Sequence, residues 1–402
     1  MKYISSSDGR EHLMRALLGP RQLAAAAMAA GFTAIGANRV SSGTNCLSVT
    51  LDDAVAKTVQ QSISKALASD DAKGRKEHHT VLVTGASGFI ASHIVSQLLA
   101  RGYVVHGTVR DAADPVKTAH LQNLEGAPER LKLYSADLTS PGCFDEAIRG
   151  CDAVVHTATP LSVKFSKGAI DGEKDIFDPA LSGLHSILNA VTGSGGQVRT
   201  FVLTSSMSAM APRPEPRVKT EAHWSDPDDQ KARGNWYGAA KTCQEQIAAA
   251  ALPEMGVRYC AICPTMVLGP MLHLGNDPVS TMGRFATWVM GGIQTAPNDS
   301  MSFVDVRDCA AMHVAALEQP TASGRYMCLA ESLHWNDIRL VLRELHPAMP
   351  PISPFEGGPL ARVTQFDRSK QDSLGVAVRG TREILADAVQ ELRTRGLLEG
   401  TK

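Results

Sequence analysis

The sequence predicts an α/β fold whose parallel strands form a doubly wound sheet, with a smaller region after it and an extension before it. Two observations carry this. From residue 80 to about 263, apolar runs of strand length alternate regularly with helix-period patterns. Such alternation places parallel strands in one sheet with helices on both faces. In addition, the first run, Val81 to Val83, meets a small-residue turn, and Phe89, Ile90, Ile94, Val95, Leu98 and Leu99 then recur at helical spacing. Strand, glycine turn and helix in that order form the opening unit of a sheet of this kind.

Strands are expected at 80–84, 103–109, 131–135, 152–156, 199–204 and 257–263. Helices are expected between them near 88–101, 115–124, 143–149, 174–193 and 236–251. After Pro264 the pattern loosens, proline, glycine and methionine become frequent, and 353–378 carries few signals. Three parts are therefore expected: an extension over 1–76, the main sheet over 77–265, and a partly helical region over 266–402 with strands that return to the sheet.

Composition narrows the class. A net charge of −1 without a basic block gives no reason to expect a nucleic-acid partner, and 44% hydrophobic residues suit a globular chain. No apolar run reaches the roughly 18 residues of a membrane span. The eight cysteines are scattered and mostly lie in apolar segments, so reduced thiols are expected. Cys260 and Cys263 have redox-motif spacing, but the strand-like run that holds them makes them structural. His78 and His79 have no acid or cysteine cluster beside them and read as a solvated approach to the first strand. In the extension, Lys2, Arg10, Arg15, Arg21 and Arg39 outnumber the early acids Asp8 and Glu11, which resembles a transit peptide in composition. A loosely docked extension with a helix over Leu51 to Leu67 is the preferred reading. The expected location is cytoplasmic, or an organelle if the extension is a targeting segment.

The candidate chemistry lies at strand ends. Glycine at Gly85 and Gly88, with Ser87 between them, permits a tight turn and lets a pyrophosphate approach backbone N–H groups at a helix start. At the end of the second strand stands Arg110, where sites for the unphosphorylated dinucleotide place an acid. Its fork can grip a phosphate in two hydrogen bonds, so NADP is expected over NAD, although Asp111 is adjacent. Asp137 ends the third strand, and Thr157, Ala158 and Thr159 follow the fourth with residues small enough for a cofactor to lie close. Tyr237 and Lys241 are four apart on one helix and share a face. An ammonium one turn from a phenol favours phenolate and should draw the tyrosine pKa down from about 10. Ser205 and Ser206 close the fifth strand and can reach the same crevice.

The stretches VLVTGASGFIASHIV, GTVRDAADPVKTAHL, SADLTSPGCFDEAIRGCDAVVHTATP, FVLTSSMSAM, NWYGAAK, CPTMVLGP and FVDVRDCAAMHVAALEQPTASGRYMC occur in this order. Together they resemble an extended short-chain dehydrogenase/reductase of the NAD-dependent epimerase/dehydratase superfamily, on a Rossmann sheet. More narrowly they resemble the dihydroflavonol reductase, cinnamoyl-CoA reductase and fungal-type aldehyde/ketone reductase group. The resemblance covers about 80–340 and implies Ser206 as the residue polarising the substrate oxygen, Tyr237 as general acid–base and Lys241 as its partner. It implies Gly85, Gly88 and Ala91 as the phosphate turn and Phe89 and Ile90 as the segment capping the pyrophosphate. It further implies Arg110 and Lys117 at the 2′-phosphate, Asp137 and Leu138 at the adenine, Thr157 and Ala158 by the ribose, and Pro264 to Val267 on the nicotinamide side. Asp305, Arg307 and Asp308 are then structural, with Asp308 capping the following helix. The C-terminal region becomes mainly substrate-binding.

Two departures from the group bear on substrate. Plant dihydroflavonol reductases carry asparagine five residues after the catalytic serine, where this chain has Ala211. Cinnamoyl-CoA reductases typically read NWYCYGK in place of NWYGAAK. The expectation is an NADPH-dependent reductase of small-molecule aldehydes or ketones, acting as a monomer or homodimer. A sugar-nucleotide epimerase or dehydratase, a steroid-type dehydrogenase, and a non-catalytic NADP sensor are the rival readings.

Overall fold

The computed structural model describes residues 79–138, 140–159, 171–273 and 280–398. Strand β1 (Thr80–Thr84) leads through the glycine turn into helix α1 (Phe89–Ala100). Then come β2 (Val104–Val109), α2 (Pro115–Gln122), the short α3 (Ala127–Arg130), β3 (Leu131–Ser135) and β4 (Ala153–His156). Helix α4 (Asp178–Gly193) follows a π-helical turn, Glu173–Phe177, and leads to β5 (Thr200–Thr204). The short β6 (Val218–Lys219) and α5 (Pro227–Ala232) precede α6 (Trp236–Glu254) and β7 (Arg258–Pro264). All six expected strands form, with bounds within a residue of those read from the sequence.

The 143–149 helix does not form. Residues 141–150 make a chain of turns instead, with mixed bonds such as Ile148 N to Phe144 O and Arg149 N to Glu146 O. Gly142 and Gly150, both at positive φ, bracket the segment and leave no length for helix to propagate. Its apolar residues are nonetheless used, since Phe144, Ala147 and Ile148 are buried. The expected Leu51–Leu67 helix lies outside the described residues, as do His78 and Cys46. His79 is described and pairs with Asp152 at 2.7 Å.

Seven strands form one sheet in the order β10-β7-β5-β4-β1-β2-β3, every neighbouring pair parallel. The seventh, β10 (Gly324–Cys328), comes from beyond Pro264 and pairs with β7. Successive side chains alternate between the two faces, as a strand covered on both sides requires. Val81, Val83, Val155, Val202 and Ile262 join one core, which includes Ile94, Leu98 and Leu99 of α1. Leu82, Val154, Phe201, Leu203 and Ala261 join the other, against Leu184, Ile187 and Leu188 of α4. Each fully buried side chain of this size contributes roughly 1.5–3 kcal/mol.

Beyond β7 the chain builds β8 (Met266–Leu268), α7 (Thr281–Thr287), β9 (Ser300–Asp305) and α8 (Val306–Glu318). After β10 come β11 (Ser332–His334), α9 (Trp335–Leu345), β12 (Gln365–Phe366), α10 (Ser369–Asp372) and α11 (Thr381–Thr394). Strands β11, β9 and β8 form a second sheet, and Leu268, Phe285, Phe303, Ile338 and Ile384 share a third core. The helix cap expected of Asp308 is made by Asp305, whose carboxylate accepts from Arg307 N at 2.7 Å. Asp308 lies inside the first turn and instead accepts from Arg379 N at 2.8 Å, fixing the approach to α11.

Candidate functional site

Strand order reverses between β1 and β4, and in a doubly wound sheet the crevice opens at the carboxyl ends there. At the end of β1, Gly85 adopts φ +65° and donates its N–H to Thr108 Oγ1 at 3.2 Å. A Cβ on Gly85 would lie 3.2 Å from Ala158 Cα, so the turn and the β4 exit are in close approach. Gly88 N returns to Gly85 O at 2.9 Å, and Gly88 is the N-cap of α1. No side chain caps that end and no acid stands in its first turn. An uncapped N-terminus beside a glycine turn suits an anion. Ser87, Phe89 and Ile90 are half-buried around it, Phe89 lying edge-on to His93 and His273.

The remaining cofactor candidates divide by what their side chains already do. Arg110 is exposed at the end of β2, while Asp111 is turned into its own loop and accepts from Ala113 N at 2.9 Å. Lys117 sits one turn into α2, within 3.6 Å of Asp114 and largely exposed. Asp137 is exposed after β3. Leu138 packs against α4, where a Cβ on Gly183 would meet it at 2.8 Å. Pro264 ends β7, and the Val267 side chain is buried in the core beneath β8. Leu138 and Val267 therefore offer a ligand mainly their backbone.

The polar centre is drawn together by Lys241, which is 3% exposed. Its Nζ donates to Thr159 Oγ1 at 2.7 Å and to the carbonyl of Thr204 at 2.9 Å, bridging the exits of β4 and β5. Burial pulls this ammonium down to about 8, opposed by the Glu245 carboxylate one turn along. Asn235 caps α6 by accepting from Gly238 N at 3.0 Å, which orients the first turn that carries half-buried Tyr237. Ser206 lies two residues past β5 and caps a 3₁₀ turn, its Oγ accepting from Ser208 N at 3.1 Å.

The Tyr237 phenol differs from the expectation. Burial pushes its pKa up, against a hydrogen bond to Ser206 and the charge of Arg284, both of which lower it. Lys241 is not among the groups that set that balance; its ammonium is bonded to Thr159 and Thr204. The depression foreseen from helical spacing is thus outweighed by desolvation. Sequence reasoning missed Arg284, which comes from α7 and has no spacing relation to Tyr237. It also missed His156, the last residue of β4, which is buried beside Lys241.

A cavity of about 700 Å³ elsewhere is lined by Leu329, Glu331, Thr364, Phe366, Arg368 and Arg379 among others. It shares no lining residue with the Ser206–Tyr237–Lys241 group.

The glycine cradle at a switch point, the bare helix start and a cation where NAD-type sites carry an acid together fit a phosphorylated dinucleotide. These features define the class: a dinucleotide-binding protein of the doubly wound type. The chain belongs to the NAD dependent epimerase/dehydratase family, whose model matches residues 81–328, and within it is an extended short-chain dehydrogenase/reductase.

Among similar proteins, cinnamoyl-CoA reductase CAD2 of Medicago truncatula is 37% identical over 79% of this chain and 96% of its own length. Tetraketide alpha-pyrone reductase 2 of Arabidopsis thaliana is 38% identical over 67% of this chain and 83% of its own. Vestitone reductase from alfalfa (Medicago sativa) superposes with a TM-score of 0.66 at 26% identity, over 79% of this chain and 99% of that one. Gre2 from Candida albicans, solved in complex with NADPH, superposes at 0.68 with 25% identity over the same shares. Among the described residues, no helix is long and apolar enough to cross a membrane.

Proposed function

We propose that this chain reduces an aldehyde or ketone to the alcohol with NADPH, using Tyr237 as general acid and Ser206 and Lys241 as its supports. The chain is an NADP-dependent oxidoreductase acting on carbonyl groups. When bound, NADPH supplies the hydride that the carbonyl carbon receives. The protein's own part is to hold the carbonyl oxygen and protonate it. The Tyr237 phenol, kept protonated by burial, delivers its proton to the oxygen as negative charge develops there. The Ser206 hydroxyl donates to the same oxygen and steadies that charge. The Lys241 ammonium, fixed between Thr159 and Thr204, would hold a ribose hydroxyl of the bound cofactor.

One observation carries this reading. A buried lysine bridges two strand ends at the crevice while sharing a helix face with the tyrosine. A non-catalytic NADP sensor has no use for that arrangement. Gly85, Ser87, Gly88, Phe89, Ile90, Arg110, Lys117, Asp137, Leu138, Thr157, Ala158, Thr159, Pro264 and Val267 form the cofactor cleft, with Tyr237 and Lys241 at its nicotinamide end. The cinnamoyl-CoA reductase relatives favour one further reading, in which the carbonyl is that of a CoA thioester and a thiol leaves.

The test is loss of NADPH absorbance with a panel of aldehydes, ketones and hydroxycinnamoyl-CoA thioesters, with thiol release followed in parallel. Turnover of aldehydes or ketones without thiol release is the expected result. Tight NADPH binding without turnover of any member would reject the reductase reading.

A further inference from the structure

Behind the Ser206–Tyr237–Lys241 group lies a second charged cluster that the proposed chemistry does not use. Glu245 is on α6, one turn beyond Lys241, and is fully buried. Its Oε1 accepts from Ser205 Oγ at 2.5 Å, and its Oε2 accepts from Arg325 Nε at 2.6 Å. Arg325, on β10, is 6% exposed. Its Nη2 donates to Ala209 O at 2.8 Å, and its Nη1 to His223 O at 2.6 Å and Glu221 O at 3.1 Å. Its guanidinium stacks 3.6 Å over the Trp224 ring. Ser205 is anchored in turn, its N–H donating to Ile262 O at 2.8 Å.

Two buried charges are a poor way to gain stability, because desolvation offsets most of their attraction. Their placement points to another use. The carboxylate holds the residue before Ser206, and the guanidinium fastens the segment that follows it through three carbonyls. Lys241 meanwhile sits on the same helix face, within the field of the same carboxylate.

We infer that Glu245, clamped by Arg325, is a positioning residue for the carbonyl-reducing site: it fixes the Ser206 strand end and keeps Lys241 charged. This rests on the reductase reading for its kinetic consequence but not for its structural one. The groups facing Lys241 are few. Cys263 on β7 has its thiol pushed well above its ordinary value by burial, and Tyr259 on the same strand, near Glu245 and not Lys241, has its phenol raised likewise. His156 on β4 is held neutral by burial, and Tyr237 is kept protonated by burial. Glu245 is thus the carboxylate that opposes loss of the ammonium, and burial alone would neutralise Lys241 at lower pH. Removing the carboxylate lowers the Lys241 pKa further, so the charged form is lost earlier as pH rises.

The experiment compares Glu245→Gln with the unmodified full chain. A second variant, Glu245→Gln combined with Arg325→Met, covers the case in which an orphaned cation prevents folding. Circular dichroism and the NADPH dissociation constant report whether each variant is folded and cofactor-competent. Two readouts follow. The alkaline limb of kcat for a reduced carbonyl should move at least half a unit to lower pH, with roughly threefold loss of kcat at pH 8.5 and little change in KM. The ¹⁵Nζ titration of Lys241 by NMR should shift in the same direction. That measurement needs no turnover, so failure of the reductase reading and failure of this one are told apart. A folded, NADPH-binding variant with an unshifted Lys241 titration would overturn the inference.

Discussion

The hydroxyl of Thr84 lies 2.9 Å from Nδ1 of His156, and the contact fixes the state of the imidazole. Thr84 Oγ1 already accepts from Thr157 N and Ala158 N, both at 3.1 Å, so its own proton goes to the histidine. Nδ1 is then an acceptor, and the ring proton sits on Nε2, which finds no partner among the described residues and lies near the rings of Phe144 and Phe201. Burial and the Lys241 charge hold this imidazole neutral down to about pH 3. The unfolded chain takes up its proton near 6.5. Unfolding is therefore favoured as pH falls below 6.5, and the penalty grows until pH reaches about 3. Between pH 7 and pH 5 this site costs roughly 2 kcal/mol of stability. Urea midpoints at the two pH values measure it, and His156→Gln should remove this part of the dependence.

Gly85→Ala should injure cofactor binding before it injures the fold. Its φ of +65° is strained for alanine by roughly 1–2 kcal/mol. The new methyl also presses on Ala158 where the β4 exit flanks the cradle. The expected result is at least about a tenfold weaker NADPH dissociation constant, with a near-native circular dichroism spectrum. Fluorescence titration of NADPH measures the first quantity.

Arg110→Gln tests cofactor choice separately. A guanidinium pairing with a phosphate forms charge-assisted bonds worth roughly 1.5–3 kcal/mol each. The ratio of kcat/KM for NADPH over NADH should fall by roughly 10–100-fold, almost all of it from the NADPH side. The acid next to it, Asp111, accepts from Ala113 N in its own loop. An unchanged ratio would remove Arg110 from the site.

What was legible in the sequence follows from what is local. The strands were readable because each is a short apolar run buried on both faces, and α1 because its stripe repeats at helical spacing. The turns at 141–150 were misread because Phe144, Ala147 and Ile148 mimic a helical face, while glycines at either end stop the helix. Tyr237 and Lys241 were singled out through their spacing, which shows only that two side chains share a face. That Lys241 bonds to Thr159 and Thr204 depends on strand exits 82 and 37 residues away in sequence, and that desolvation governs the phenol depends on the packing around it. Arg284 and Arg325 escaped for the same reason, since each arrives from an element with no local relation to the helix it serves.

Catalysis should fail on the alkaline side sooner than an ordinary lysine would allow. Lys241 is drawn down to about 8, so raising pH through that value neutralises the ammonium that the proposed mechanism uses to hold the ribose. Activity should be level below about pH 7.5 and fall about tenfold per unit well above pH 8. The linked effect on stability has the opposite sense. The native state binds fewer protons than the unfolded chain between about 8 and 10.5, so this group favours the fold more as pH rises across that window. Kinetic and urea profiles over the same pH range should therefore diverge.

Tyr237→Phe isolates the proton. The ring and its packing remain, and only the hydroxyl that meets Ser206 is lost. General acid catalysis contributes roughly 10²–10⁴-fold, and kcat should fall by that amount. The NADPH dissociation constant should stay within about threefold, because the cradle at Gly85 and the charge at Arg110 are untouched. Ser206→Ala should act on the same step and add little to the tyrosine variant, since the proposed mechanism has both groups hold one oxygen. Rate losses that multiply in the double variant would mean the two hydroxyls act on different atoms.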